Sequence, residues 1–142
     1  MPDWSKSMEQ SFEYYVVDPG TWGDDRLIRT VTNCTITRDY SNETLGSATL
    51  DADEELNDLY VRPYLITLQN RVKEKFCLGT FLCQTADLSY DGMRRYRSYD
   101  CYTPLIEMKE KPMAIGFNVQ KNDNLLVRAV SIVQESVRAP VI

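Results

Sequence analysis

Asp87, Ser89 and Asp91 offer oxygen ligands at alternate positions ahead of Gly92, the pattern of the first half of a calcium-binding loop. That loop also needs a bidentate glutamate at its twelfth position, where this sequence has Ser98. The segment therefore reads better as a β-hairpin turn at Asp91-Gly92. A second acidic cluster, Asp51-Ala52-Asp53-Glu54-Glu55, would attract a cation or a basic partner, and reads as a solvated loop. Arg94, Arg95 and Arg97 interleave with Tyr90, Tyr96 and Tyr99. Arginines between stacking rings can hold single-stranded nucleic acid. The same residue types are enriched at protein–protein interfaces. With 16 Lys+Arg against 21 Asp+Glu, the net charge of −5 favours the interface, and no nucleic-acid partner is expected.

Other chemistries are closed off by composition. The chain has no histidine, so histidine-dependent triads, the usual mixed histidine sites for zinc and histidine pH switches are excluded within it. It carries no P-loop, no GxGxxG and no GxSxG. No catalytic residue, metal ligand or cofactor is assigned, and the chain is expected not to be an enzyme. Two rivals remain open. One is a small hydrolase built on a carboxylate pair, which 21 acidic residues make impossible to pick out by spacing. The other is a carbohydrate- or nucleic-acid-binding β-barrel module.

The four cysteines, Cys34, Cys77, Cys83 and Cys101, include no CxxC pair. Each lies in an apolar or β-rich run, where a free thiol packs as a small hydrophobe. No apolar stretch resembling a secretion leader follows Met1-Pro2-Asp3-Trp4-Ser5-Lys6. Buried reduced thiols are therefore expected rather than disulfides. No apolar run approaches the roughly 20 residues of a spanning helix, and no membrane partner is expected.

The elements that must position these residues are mostly strands. The 142 residues suffice for one domain with one core. Phe12–Val17 is aromatic and β-branched, a strand closed by Asp18-Pro19-Gly20. Trp22–Asp25 reads as a loop. Leu27–Asp39 reads as one long strand, or two broken near Asn33. Ser47–Asp51 is a short strand, and Glu54–Leu59 a helical turn or irregular loop. Tyr64–Gln69 and Val72–Thr85 form a long hairpin turning at Asn70-Arg71, because Asn70 tolerates the left-handed conformation such turns need. Gly79 inside the second arm predicts a bulge or kink.

In the strand Arg94–Tyr102, Tyr96, Ser98, Asp100 and Tyr102 share one face, and Arg95, Arg97, Tyr99 and Cys101 the other. Neither face is plainly apolar, as expected of an interface or a wet barrel end. Leu125, Leu126, Ala129, Ile132, Val133 and Val137 then fall at helical spacing, with Asp123 as the expected cap and Arg138-Ala139-Pro140 as the stop. The expected fold is mainly β: five to seven strands in a small β-barrel-like domain, with a long β-hairpin and a C-terminal amphipathic helix. Ending on Val141-Ile142 just after a helix suggests the N-terminal part of a longer polypeptide, or a helix that docks on a partner.

Five stretches carry a resemblance: Thr35–Asp39, Glu43–Thr49, Val61–Ile66, Lys73–Phe81 with its Leu-Gly-Thr-Phe run, and Tyr102–Leu105. Across about residues 12–138 the chain resembles the N-terminal β-barrel domain of bacteriophage tail hub (baseplate hub) proteins. The resemblance implies a virion structural protein, assembled in the bacterial host cytoplasm, that forms a homotrimer around the tail axis. Its partners would be further copies of itself and the tail tube, distal tail or spike proteins. The candidate assembly contacts are Asn70, Arg71, Lys73 and Lys75 on the long hairpin, with Arg95, Arg97 and Tyr99 on the arginine-tyrosine strand. Leu65 and Phe81 are the expected core residues of the long hairpin.

Overall fold

The computed structural model describes residues 1–84, 86–113 and 117–140. Nine antiparallel strands and two helices lie among them: β1 Glu9–Val17, β2 Asp24–Ile28, β3 Val31–Thr37, β4 Ser47–Ala52, β5 Tyr60–Gln69, β6 Val72–Cys77, β7 Phe81–Cys83, β8 Asp87–Asp91, β9 Arg94–Tyr102, α1 Leu105–Glu110 and α2 Leu125–Ser136. The mainly β fold with its long hairpin and C-terminal helix is as expected, with more strands than the five to seven foreseen.

One sheet runs in the order β2-β1-β5-β7-β9-β4-β3, with β6 added to β5 and β8 to β9. The two ends of this path are consecutive in sequence, joined only by Arg29-Thr30. Ile28 of β2 and Val31 of β3 pack on the same core, so the sheet curves around that core, although β2 and β3 do not pair with each other. Val16, Leu50, Ala52, Leu56, Val61, Phe81, Cys83, Tyr99 and Cys101 fill the interior. On β4 and β9 these are alternate residues, as the two-residue period of a strand requires. A second, smaller cluster of Val17, Tyr60, Leu82 and Ile106 seats α1 on the outer surface, with Trp22 and Tyr102 beside it.

The long hairpin turns at Asn70 and Arg71, with φ of 51° and 65°. Both values are positive, the geometry that matches the right-handed twist of the two arms. The second arm is broken at Gly79. Tyr64 faces Cys77 and Val61 faces Phe81, so two residues of β5 oppose three of the returning chain. This is the bulge that Gly79 predicts; its φ is 142°, and a side chain there would press on the Phe81 ring. Beyond the bulge β7 leaves the hairpin to pair with β9 as well as β5, so Val72–Thr85 is not one arm, and Thr85 itself lies outside the described residues.

Other boundaries differ from the sequence reading. The break in Leu27–Asp39 falls at Arg29-Thr30 rather than near Asn33, and Asp24 and Asp25 belong to β2 rather than a loop. The polar strand start is tolerated because Asp24 is occupied by Arg62, Tyr64 and Lys75. α2 is capped by Asn124, whose side chain accepts the Leu126 and Val127 N–H groups, and not by Asp123, which accepts from Gln120 and pairs with Arg128. α2 closes at Ser136, with Val137 already extended. The reading of Val141-Ile142 as a cut end concerns residues outside those described.

Candidate functional site

The sequence candidates fall on two separate hairpins. Asn70, Arg71, Lys73 and Lys75 belong to β5–β6, and Arg95, Arg97 and Tyr99 to β8–β9, with β7 between β5 and β9 in the sheet. They do not form one continuous patch.

On the β5–β6 hairpin, Asn70 and Arg71 stand exposed at the tip. Lys73 is also largely exposed, with Nζ 3.3 Å from Glu13 Oε1 on β1. Lys75 is held differently. Its Nζ lies 4.0 Å from the ring centroid of Tyr15, 3.8 Å from that of Tyr64 and 3.7 Å from Asp24 Oδ2. The Tyr64 hydroxyl donates to Asp24 Oδ2 at 2.8 Å, and Arg62 reaches Asp24 Oδ1 at 2.9 Å. Arg62 also bonds the Thr80 hydroxyl at 3.0 Å, tying this network to the bulge. Tyr15 donates to Glu13 at 3.0 Å, and that bond raises the Tyr15 pKa above its ordinary value. The Glu13 carboxyl is held below the usual range: partial burial opposes ionisation, but the bonds from Tyr15 and Lys73 outweigh it. The outer face of β1-β5-β6 is thus a polar and aromatic network that largely satisfies itself.

On the β8–β9 hairpin the three residues have three different fates. Arg95 is exposed and, with Arg29, Asp51, Asp53, Arg94 and Tyr96, lines an open polar cavity of about 380 Å³. Arg97 is half-buried and donates to the Asp53 carbonyl at 2.8 Å, which anchors the acidic loop. Tyr99 is fully buried. Its hydroxyl accepts the Leu56 N–H at 2.8 Å and donates to the Glu54 carbonyl at 2.8 Å. Tyr99 is therefore a core residue and cannot touch a partner in this fold. With Tyr99 and Cys101 buried, the second half of β9 has one plainly apolar face, contrary to the sequence reading. Leu65 also departs from expectation: it is only half-buried, whereas Phe81 is deep in the core.

The acidic motif Asp87–Gly92 is β8 and its turn, with Asp91 opposite Arg94 and Gly92 at φ 59°. An extended strand does not wrap its oxygens around an ion. No group of three potential metal ligands gathers among the described residues.

Cys83 and Cys101 are buried and Cys34 is half-buried. Burial pushes the Cys34 thiol up to about 11. Tyr14, beside it, is pushed up to about 12 by burial and by Cys34. Cys77 is exposed, against the expectation of a packed thiol.

The expected C-terminal helix is α2; α1, which packs beside it, was not foreseen. α1 sits on the sheet through Ile106, but no residue of α2 is buried, and Leu125, Leu126 and Val127 are exposed. Met108, Pro112, Met113, Phe117 and Ile132 line a mostly apolar cavity of about 460 Å³ between the two helices. Arg138, just past α2, ties it down. Its backbone N–H donates to Glu107 Oε2 at 2.8 Å, its side chain pairs with Glu107 and Asp58, and its guanidinium lies 5.0 Å from the Tyr60 ring centroid. Nothing in Arg138-Ala139-Pro140 beyond its stop signal marks this role, because it depends on partners 31 and 80 residues away. No protein-family model matches the chain, and no curated protein matches it.

Proposed function

We propose that this chain is a structural subunit of a bacteriophage tail hub, assembling with copies of itself around the tail axis and joining the tail tube or distal tail ring to the central spike or fibre. Its work is packing, not chemistry. The observation that carries the reading is the exposed helix: a 12-residue amphipathic helix that buries none of its own residues, on a domain whose sheet has a well-filled core of its own. Exposed apolar surface of that kind belongs to chains that meet other chains.

The segments that carry the resemblance support it further, because they lock onto one another. The Arg38 guanidinium bonds the Leu78 carbonyl beside the Gly79 bulge. The Thr103 hydroxyl bonds the Thr44 carbonyl, joining the turn before β4 to the end of β9. These motifs therefore serve a common framework, which suits a scaffold protein. The test is the mass of the purified chain in solution, followed by electron microscopy of any rings. Trimers or rings are expected. A monomer persisting at high micromolar concentration would count against self-assembly, and peptidoglycan cleavage abolished by one Asp or Glu substitution would replace the scaffold with an enzyme.

A further inference from the structure

The core contains one pair of groups that the scaffold role does not use. Cys83 on β7 and Cys101 on β9 are direct partners across the sheet, and their sulfur atoms lie 3.1 Å apart. The neighbouring pair fixes their geometry. Gln84 N–H donates to the Asp100 carbonyl at 2.9 Å, so residues 84 and 100 form the hydrogen-bonded pair of the ladder. Cys83 and Cys101 are then the non-hydrogen-bonded pair, in which Cα atoms approach to about 4.5 Å and side chains stand closest. The backbone of Cys83 agrees: its N–H donates to the Leu59 carbonyl, and its carbonyl accepts from Asp58, both away from β9. A Cα separation near 4.5 Å lies within the range that a disulfide spans, and bonding needs the sulfurs to close by only about 1 Å.

We infer that Cys83 and Cys101 are a site of oxidative modification, closing to an intramolecular cross-strand disulfide when the protein meets a peroxide. One thiol sulfur attacks a peroxide oxygen, the O–O bond breaks, and the cysteine becomes a sulfenic acid with release of water. The second thiol attacks that sulfur, the S–O bond breaks, and a second water leaves as the S–S bond forms. Two thiols are oxidised and one hydrogen peroxide is reduced to two waters. Both sulfurs are buried, so the oxidant is a small uncharged one admitted by local opening of the sheet. The product bridges short β7 to β9 and closes a covalent loop around the β8–β9 hairpin.

The test uses the full chain, purified reduced, in the variant Cys34→Ser/Cys77→Ser, which leaves the pair as its only thiols. After hydrogen peroxide, the protein is unfolded, alkylated and mapped by mass spectrometry. The expected result is loss of both alkylatable thiols, a Cys83–Cys101 linked peptide lighter by two hydrogens, full recovery with dithiothreitol, and a raised melting temperature for the oxidised form. In the unaltered chain the same linked peptide is expected alongside separate oxidation of exposed Cys77. The inference is overturned if both thiols remain alkylatable, if they stop at sulfinic or sulfonic acids, or if the unaltered chain links Cys34 to Cys101 instead.

Discussion

The Lys75 ammonium lies 3.8 Å from the ring centroid of Tyr64, its diagonal neighbour across β5–β6, with Tyr15 closing the other side. A lysine held between two rings and a carboxylate is part of its own sheet before it is part of any interface. Lys73, two residues away on the same face, has only an exposed ion pair with Glu13.

The two lysines should therefore respond differently. Lys75→Glu places a carboxylate near Asp24 and removes both ring contacts, and should cost about 1 kcal/mol or more. Lys73→Glu should cost between about 0 and 1 kcal/mol, as exposed pairs do. Urea unfolding of both variants checks this. Equal losses would mean that the ring contacts do not hold Lys75.

Assembly through this hairpin is tested at its tip. Arg71→Glu changes an exposed side chain and leaves the turn backbone no more strained than before. Together with Lys73→Glu it should weaken self-association while leaving the melting temperature within a few degrees. Sedimentation and thermal melts read the two effects separately. Unchanged association would remove this hairpin from the interface.

Tyr99→Phe tests the buried role of Tyr99 on β9. The substitution keeps the ring and removes the hydroxyl that bridges Leu56 N–H and the Glu54 carbonyl. Leaving these groups without that partner in a buried position should cost about 1–3 kcal/mol. Hydrogen exchange should quicken first in the 54–59 loop. A stability loss below about 0.5 kcal/mol, with association impaired, would restore Tyr99 as a contact residue.

What the sequence made legible was local. The Asn70-Arg71 turn and the Gly79 bulge follow from residues that tolerate positive φ, β1 and β3 from aromatic and β-branched runs, and β9 from the Asp91-Gly92 turn before it. What it hid depends on distant partners. Asp24 begins a strand because Arg62, Tyr64 and Lys75 collect on it, and local propensity argues only for a loop. Tyr99 sits at an odd position in a run of arginines, so alternation alone could not separate the half of β9 that enters the core from the half that leaves it. Asn124 displaced Asp123 as the cap because Asp123 was already committed to Gln120 and Arg128, a one-residue shift that side-chain chemistry alone does not decide.

Core packing gives a graded pair. Phe81 is 1% exposed and its ring takes the space a side chain at Gly79 would need, so Phe81→Ala should cost about 3–5 kcal/mol. Leu65, half-buried opposite Phe12 and Phe76, should cost clearly less on truncation. Chemical denaturation orders them, and a Leu65→Ala loss equal to that of Phe81→Ala would place a second core under the hairpin.

Arg138 and Glu107 form a latch between the end of α2 and α1. Glu107 on α1 accepts from both the backbone and the side chain of Arg138, and Arg138 in turn spans to Asp58 and covers the Tyr60 ring. Since α2 buries none of its residues, this contact links its end to the sheet, alongside the Lys111 side chain that bonds the Glu135 carbonyl of its last turn. Arg138→Ala removes both ion pairs and the ring contact but leaves the backbone bond to Glu107. Glu107→Gln keeps an acceptor at the same place and removes the charge. The sheet core does not include either residue, so global stability should fall by only about 1 kcal/mol in each case. The local effect should be larger: α2 amides should lose protection in hydrogen exchange, more in Arg138→Ala than in Glu107→Gln, while β5 and β9 amides keep theirs. If α2 protection is unchanged in Arg138→Ala, the helix is held by the apolar cavity around Met108 and Ile132, and Ile132→Ser should then release it where the arginine substitution did not.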